Sequence, residues 1–351
     1  MIIRSRAPLR LGFAGGGTDL ETYSNIYGGA VLNATINMYA YCTIIPTDTG
    51  KIRIHSLDNK NDLEIDCKPY IAPDGDNLIL HRGVYNRVVK DFNDGKPLSF
   101  IMSTSNDAPI GSGLGTSSTM IVAILEAFNK WLNLGLDDYA KAKLAYDIER
   151  KDLNLAGGKQ DQYSAVFGGF NFMEFKTDKT VDVAPLFLNA KILNELEFST
   201  ILYYSGQSRK SANQQFELTK NIISHQIKNA AEQKDKTISA LDAIKQNAYV
   251  MKDYLISGNL KSFAECIRKG WENKKKTSSI VTNAELEKTI DFAIEHGAEA
   301  VKVSGAGGGG FLLLFCDPIN RQRLTEALKT LGGNVYSVKF CLNGAESWTT
   351  D

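Results

Sequence analysis

In the segment Pro109-Ile110-Gly111-Ser112-Gly113-Leu114-Gly115-Thr116-Ser117-Ser118, glycine takes alternate positions and three hydroxyl residues follow. Alternating glycines let a backbone curve closely around a ligand and turn its N–H groups inward. Met120, Ile121, Ile124, Leu125, Phe128 and Leu132 then recur at helical spacing, so the loop opens a helix. The free N–H groups and dipole of a helix start favour an anion. Thr116, Ser117 and Ser118 place hydroxyls where a helix cap, a phosphate or a magnesium ion would use them. A plain glycine turn with a Ser/Thr cap needs fewer glycines, so phosphate binding is the expectation. The loop is neither of two familiar phosphate motifs. No lysine lies between residues 109 and 119, and Thr116 fills the sixth position, where the dinucleotide pattern wants glycine.

Two further glycine segments flank it in the sequence. Ala7-Pro8-Leu9-Arg10 leads into Gly15-Gly16-Gly17-Thr18-Asp19. Arg10 suits phosphate charge and Asp19 suits hydroxyl groups, although Asp19 reads equally as a helix cap. Near the end, Lys302-Val303-Ser304-Gly305-Ala306-Gly307-Gly308-Gly309-Gly310 has dinucleotide spacing at Gly305, Gly307 and Gly310. A strand-like run, Phe311-Leu312-Leu313-Leu314-Phe315, follows where that motif needs a helix, so a glycine turn between strands fits better. Glu149 and Asp161 stand twelve positions apart, the first late in a helix and the second after Gly157-Gly158. Phosphoryl transfer uses one carboxylate on a metal and one at the attacking hydroxyl. Taken alone, Glu149 reads as part of a solvated helix face and Asp161 as a turn residue.

The elements that must position these groups are mixed. Strands are expected at residues 2–6 and 9–13 with Pro8 between them, then at 31–37, 41–46, 51–55 and 63–66. A helix over 78–92 precedes a strand at 98–103; helices over 117–132 and from Leu136 or Asp137 to 152 follow, then a strand at 170–175. After a strand at 198–204, residues 211–274 read as helical with a break near Ser257-Gly258-Asn259. A helix over 284–296, strands at 300–304 and 311–315, a helix over 319–331 and a strand at 334–340 complete the pattern. This mixture suggests an α+β fold with a boundary near residues 185–195.

A length of 351 residues points to two domains. Forty basic and forty acidic residues cancel, which argues against a general nucleic-acid binder. Five scattered cysteines and four histidines show no ligand spacing, so reduced thiols in the cytoplasm are expected. No signal peptide or membrane-spanning run is seen.

Taken in order, the Ala-Pro-Leu-Arg segment with Thr-Asp, the central loop, Gln160-Asp161-Gln162 and the final Ser-Gly-Ala-Gly-Gly-Gly-Gly loop resemble the GHMP kinases. These are the small-molecule kinases named for galactokinase, homoserine, mevalonate and phosphomevalonate kinases. The resemblance covers nearly the whole chain. Within the family, these segments, with Ser205-Gly206-Gln207-Ser208-Arg209 and Trp271-Glu272-Asn273-Lys274, look most like the branch acting on D-glycero-D-manno-heptose 7-phosphate. The kinase part of fucokinase is a close relative.

The resemblance implies a two-domain α+β chain, residues 1–190 and 191–351, with the site between them. It implies ATP and Mg2+, and transfer to the anomeric C1 hydroxyl of the heptose phosphate, serving nucleotide-activated heptose. Pro109, Gly111, Ser112, Gly113, Leu114, Gly115, Thr116, Ser117 and Ser118 would hold the nucleotide, and Ser117 with Glu149 the metal. Asp161 would stand at the acceptor hydroxyl, with Arg10 stabilising charge. Gly16, Gly17, Thr18, Asp19, Gly305, Ala306 and Gly307 would face the sugar. Arg209 and Lys274 are the expected cations for its phosphate, ahead of Lys210, Lys275 and Lys276. Galactokinase-type enzymes carry Gly-Glu-His before Thr-Asp; Gly15-Gly16-Gly17 here argues against galactose. A fucose- or galactose-type kinase, and a non-catalytic sugar-binding regulator on the same fold, are the alternatives. The polar helices between residues 211 and 274 would offer a face for a homodimer.

Overall fold

The computed structural model describes residues 1–58, 60–73, 78–206, 211–223 and 231–351. The chain begins β1 (Ile2–Ala14), α1 (Glu21–Tyr27), β2 (Gly29–Pro46), β3 (Lys51–Ser56), β4 (Asn61–Asp66), α2 (Ile79–Phe92) and β5 (Phe100–Asn106). Next come α3 (Thr116–Leu132), α4 (Asp138–Asp147), a π-helical turn Ile148–Asp152, α5 (Gln160–Phe167), β6 (Phe170–Phe175), β7 (Val181–Leu186), α6 (Ala190–Ser199) and β8 (Thr200–Tyr204). The rest is α7 (Ser211–Ile223), α8 (Ala231–Ser257), α9 (Leu260–Lys275), α10 (Ala284–Glu295), β9 (Ala298–Val303), β10 (Phe311–Cys316), α11 (Arg321–Lys329), β11 (Asn334–Ser337) and β12 (Glu346–Thr350).

Two sheets organise these elements. The first runs β12-β1-β2-β5-β3-β4, with β6 also on β2 and β7 on β6. The second is β11-β8-β10-β9. The β3–β5 pair is parallel; the other pairs are antiparallel. The strand β12 lies beyond residue 190, yet it pairs with β1, from Ile2 opposite Thr350 to Arg6 opposite Glu346.

Two strands are longer than the sequence suggests. Pro8 does not end β1, because the β1–β2 register shifts between Pro8 and Arg10 and the missing N–H falls at that irregularity. The eighteen-residue β2 is one strand with two partners along one side: residues 29–34 pair with β6 and residues 40–46 with β5. The sequence reading split β2 where the partner changes. Four elements were not expected at all, α5, β7, α6 and β12, while α1 follows the helix-cap reading of Asp19.

The core is continuous between the halves. One cluster packs α2 and α3 beneath the first sheet through Ile44, Phe100, Ile121 and Phe128. A second joins both sheets, drawing Leu11 and Phe13 from β1, Phe263 from α9 and Phe311 from β10. A third, with Trp271, Ile290, Leu312 and Leu324, fills the second sheet's other face. Helix α3 is buried all round from Ser118 to Phe128, which fits its central place between sheet and helices. The five cysteines are free. Among the described residues, no helix is long and apolar enough to cross a membrane.

Candidate active site

The three glycine segments converge on one cleft, together with the π-helical turn, the start of α5, and α7 and α9. The central loop is shaped by Gly111, Gly113 and Gly115, whose φ angles of 77°, 85° and 82° favour glycine. Its carbonyls are tied from behind. Phe311 N–H donates to Ser112 O (2.8 Å), Arg10 N–H to Leu114 O (3.1 Å), and Ser304 Oγ to Gly113 O (3.0 Å). Helix α3 starts beside it with Gly115 as N-cap and no side-chain cap, so the helix start is left for a ligand.

A buried polar group lies at this helix start. Glu149, 2% exposed, accepts at Oε2 from Ser118 Oγ (2.6 Å) and from Gln162 Nε2 (2.5 Å). Arg150 Nη1 stands 3.2 Å from Glu149 Oε1. The expected hydroxyl, Ser117, lines the cleft, while the one bonded to Glu149 is its neighbour Ser118.

In the same cleft, Arg10 Nε and Nη2 both donate to Asp161 Oδ1, at 2.8 and 2.5 Å, while Nη1 donates to Gly113 O (2.7 Å). Arg10 is 4% exposed, so a solvent-screened pairing is ruled out. A Cβ on Gly115 would come 3.3 Å from Asp161 Cγ, so glycine lets the carboxylate approach the loop.

Asp19 is held by backbone on two sides. Its Oδ1 accepts from Gly17 N–H (2.9 Å) and its Oδ2 from Gln160 N–H (3.1 Å). Lys274 Nζ donates to Gly16 O (3.0 Å), and Lys302 Nζ to Gly12 O (2.8 Å) and Phe13 O (3.1 Å). Burial, with Lys274 and Arg10 nearby, pushes the Lys302 amine down to about 7.

Most of the expected site residues meet here. Arg10, Gly16, Gly17, Asp19, Gly111, Gly113, Gly115, Thr116, Ser117, Ser118, Glu149, Asp161, Lys274, Gly305 and Ala306 line the cleft. Others stand behind it. Thr18 is fully buried and bonds Gly15 O and Ala30 O, so it pins the loop. Ser112 and Leu114 are fully buried, and Gly307 packs on Val281. Pro109 is not among the lining residues. Arg209 and Lys210 lie outside the described residues. Lys275 pairs with Glu272 and Glu287, Lys276 bonds Asn273 Oδ1, and Trp271 packs in the third core cluster. Sequence reasoning missed Arg150, Gln160, Gln162, Gln214 and Gln215. For Gln160 and Gln162 the signal was their place beside Asp161.

Residues 77–169 match the GHMP kinases N terminal domain, and residues 251–334 match GHMP kinases C terminal. A D-glycero-alpha-D-manno-heptose 7-phosphate kinase from Campylobacter jejuni is 45% identical over 99% of this chain and 98% of its own. A solved D-glycero-D-manno-heptose 1-phosphate kinase from Bacteriodes thetaiotaomicron is 44% identical, with TM-score 0.83 and 99% of each chain covered. The L-fucokinase/L-fucose-1-P guanylyltransferase of Bacteroides fragilis is 25% identical over 93% of this chain and 36% of its own. With a full-length relative at 45% identity and both domain signatures in place, the chain belongs to the GHMP kinase family.

Proposed function

We propose that this protein transfers the γ-phosphoryl group of ATP to the anomeric C1 hydroxyl of D-glycero-D-manno-heptose 7-phosphate, yielding the 1,7-bisphosphate. The observation that carries this reading is that the Arg10–Asp161 pair and the Ser118–Glu149 group line one glycine-rich cleft. The full-length likeness to a heptose 7-phosphate kinase supports the choice of sugar. Residues 1–190 would form the nucleotide half and 191–351 the other, with β12 returning to the first sheet.

In this mechanism Asp161 orients the C1 hydroxyl and takes its proton as oxygen bonds to the γ-phosphorus and the bond to the β-phosphate oxygen breaks, releasing ADP. An anomeric hydroxyl is more acidic than an ordinary alcohol, which eases the demand on Asp161. Arg10 keeps that carboxylate in place and opposes charge on the group in transit. The uncapped start of α3 opposes charge on the donor phosphates. Asp19 and Lys274, on the Gly15-Gly16-Gly17 side, serve the sugar and its phosphate.

Mg2+ fits the nucleotide side, because a buried carboxylate lies there next to hydroxyls and a phosphate-binding loop. One carboxylate plus substrate phosphates is a usual magnesium environment. Glu149 and a serine hydroxyl of α3 would hold the ion, which would neutralise charge on the phosphate oxygens.

The test is magnesium-dependent ADP release with heptose 7-phosphate, heptose 1-phosphate, free heptose, fucose and galactose, with the product located by phosphorus NMR. Turnover confined to heptose 7-phosphate, with new phosphate on C1, is expected. Turnover with heptose 1-phosphate would move the acceptor to the other end of the sugar. Turnover with a free hexose would remove the sugar-phosphate assignment. Sugar binding without turnover would return the regulator.

A further inference from the structure

We infer that Arg150 is a phosphate-binding cation of the nucleotide subsite. The inference rests on the kinase reading but not on which sugar is used.

The central loop has a deficit of charge. It holds no lysine between residues 109 and 119, so it offers only N–H dipoles and a helix end, roughly half a positive charge. Among the described residues lining the cleft, the cations are Arg10, Arg150 and Lys274. Arg10 is committed to Asp161 and Gly113 O, and Lys274 bonds the Gly16 carbonyl. Arg150 is the cation beside Ser118 and Glu149, where the helix start opens.

Its own geometry is incomplete. The side chain is 9% exposed, yet Nε is buried without a hydrogen-bond partner. A buried donor left unpaired is costly, which favours a ligand that supplies an acceptor. Nη1 is used, on Ala156 O (3.0 Å) and Leu155 O (3.5 Å) besides Glu149. Nη2 has a 3.5 Å contact to Ser118 Oγ, too long for a full-strength bond. The Nε–Nη2 edge is therefore largely unspent; Nε is closed to solvent here, so a bidentate grip on a phosphate requires the guanidinium to turn toward the cleft.

The backbone is arranged around this side chain. Arg150 lies in the π-helical turn Ile148–Asp152, a rare geometry that is frequent at functional sites. At Gly157 a Cβ would stand 2.3 Å from Arg150 Nη2, and φ there is 152°, so glycine leaves the guanidinium its space. The contact with Glu149 also has a use. The guanidinium compensates that carboxylate before a ligand arrives, and a divalent ion at Glu149 would release it toward the phosphates.

Calorimetric titration of ADP, without and with magnesium, and of heptose 7-phosphate, tests this on the full chain, with thermal melts in parallel. Arg150→Gln is expected to weaken ADP about tenfold or more in both conditions, the loss of a charge-assisted bond. Heptose 7-phosphate affinity should stay within about twofold, and Arg150→Lys, which keeps charge but loses the fork, should fall between. Unchanged ADP affinity in Arg150→Gln would overturn the inference. So would equal weakening of both ligands with a lowered melting temperature, the mark of a purely structural arginine. If Arg150→Gln does not fold, Arg150→Lys decides by the same comparison. Absence of heptose 7-phosphate binding in the unsubstituted protein would sink the choice of sugar, and the ADP titrations would still judge Arg150.

Discussion

Arg10 and Asp161 meet across 151 positions of sequence through two nitrogens on one carboxylate oxygen, Nε at 2.8 Å and Nη2 at 2.5 Å from Oδ1. The pairing fixes which way the carboxylate faces before any substrate binds. Asp161→Asn keeps the shape and removes the proposed proton acceptor. It is expected to lower kcat by about 10²–10⁴, the usual span for a lost general base, with the KM for ATP little changed. A loss below about tenfold, roughly 1.4 kcal/mol, would confine Asp161 to orienting the hydroxyl.

Gln162 is fully buried, and its amide holds both Glu149 and Ser118. In the magnesium role proposed for Glu149, such supporting partners typically set metal affinity by about 10- to 100-fold. Gln162→Ala should raise the magnesium concentration needed for half-maximal rate by that order and spare the rate at saturating metal. Direct titration with Mn2+ by paramagnetic resonance should show the same loss. An unchanged metal requirement would reduce Gln162 to core packing.

Gly158 stands against Asp19, where a Cβ would lie 1.9 Å from Oδ2. Gly158→Ala must push that carboxylate aside, an overpacking strain of about 1–3 kcal/mol. The KM for the sugar should rise more than the KM for ATP. If the two rise together, Asp19 does not serve the sugar side selectively.

Lys302 gives a pH dependence with a defined sign. Its amine is pushed down to about 7 in the folded protein from the ordinary 10.5, first by burial and then by Lys274 and Arg10. Between these values the unfolded chain binds the extra proton, so this group makes stability rise with pH across the window. Urea denaturation of the protein and of Lys302→Met from pH 7 to 9.5 checks it. The protein should gain stability relative to the variant as pH rises; a flat or falling difference would mean that Lys302 stays charged.

The glycine loops were legible in the sequence because backbone geometry dictates them. Gly111, Gly113 and Gly115 all need positive φ, and few other residues accept it. What was not legible depended on helical phase and on tertiary partners. The run Glu149-Arg150-Lys151-Asp152 looks like a solvated face, but the π-helical turn swings its first two side chains inward and leaves the last two exposed. The Ser118–Glu149 bond was hidden for a similar reason: with α3 starting at Thr116, Ser117 lines the cleft and Ser118 meets Glu149. Helix α5 has eight residues, a polar start and no side-chain cap. Its order comes from Gln160 on Asp19, Asp161 on Arg10 and Gln162 on Glu149, contacts that no local pattern announces.

The pairing of β12 with β1 bears on how the protein is made. During synthesis Ile2 to Arg6 emerge first, but their partners, Thr350 to Glu346, leave the ribosome more than 300 residues later. Until then β1 is an open edge, able to pair with a neighbouring nascent chain. The late strand also brings Ser347 to Glu126 and Glu346 to Arg6, so the first sheet is sealed last. Premature termination shortly before residue 346 should therefore give aggregation rather than a protein merely lacking a tail.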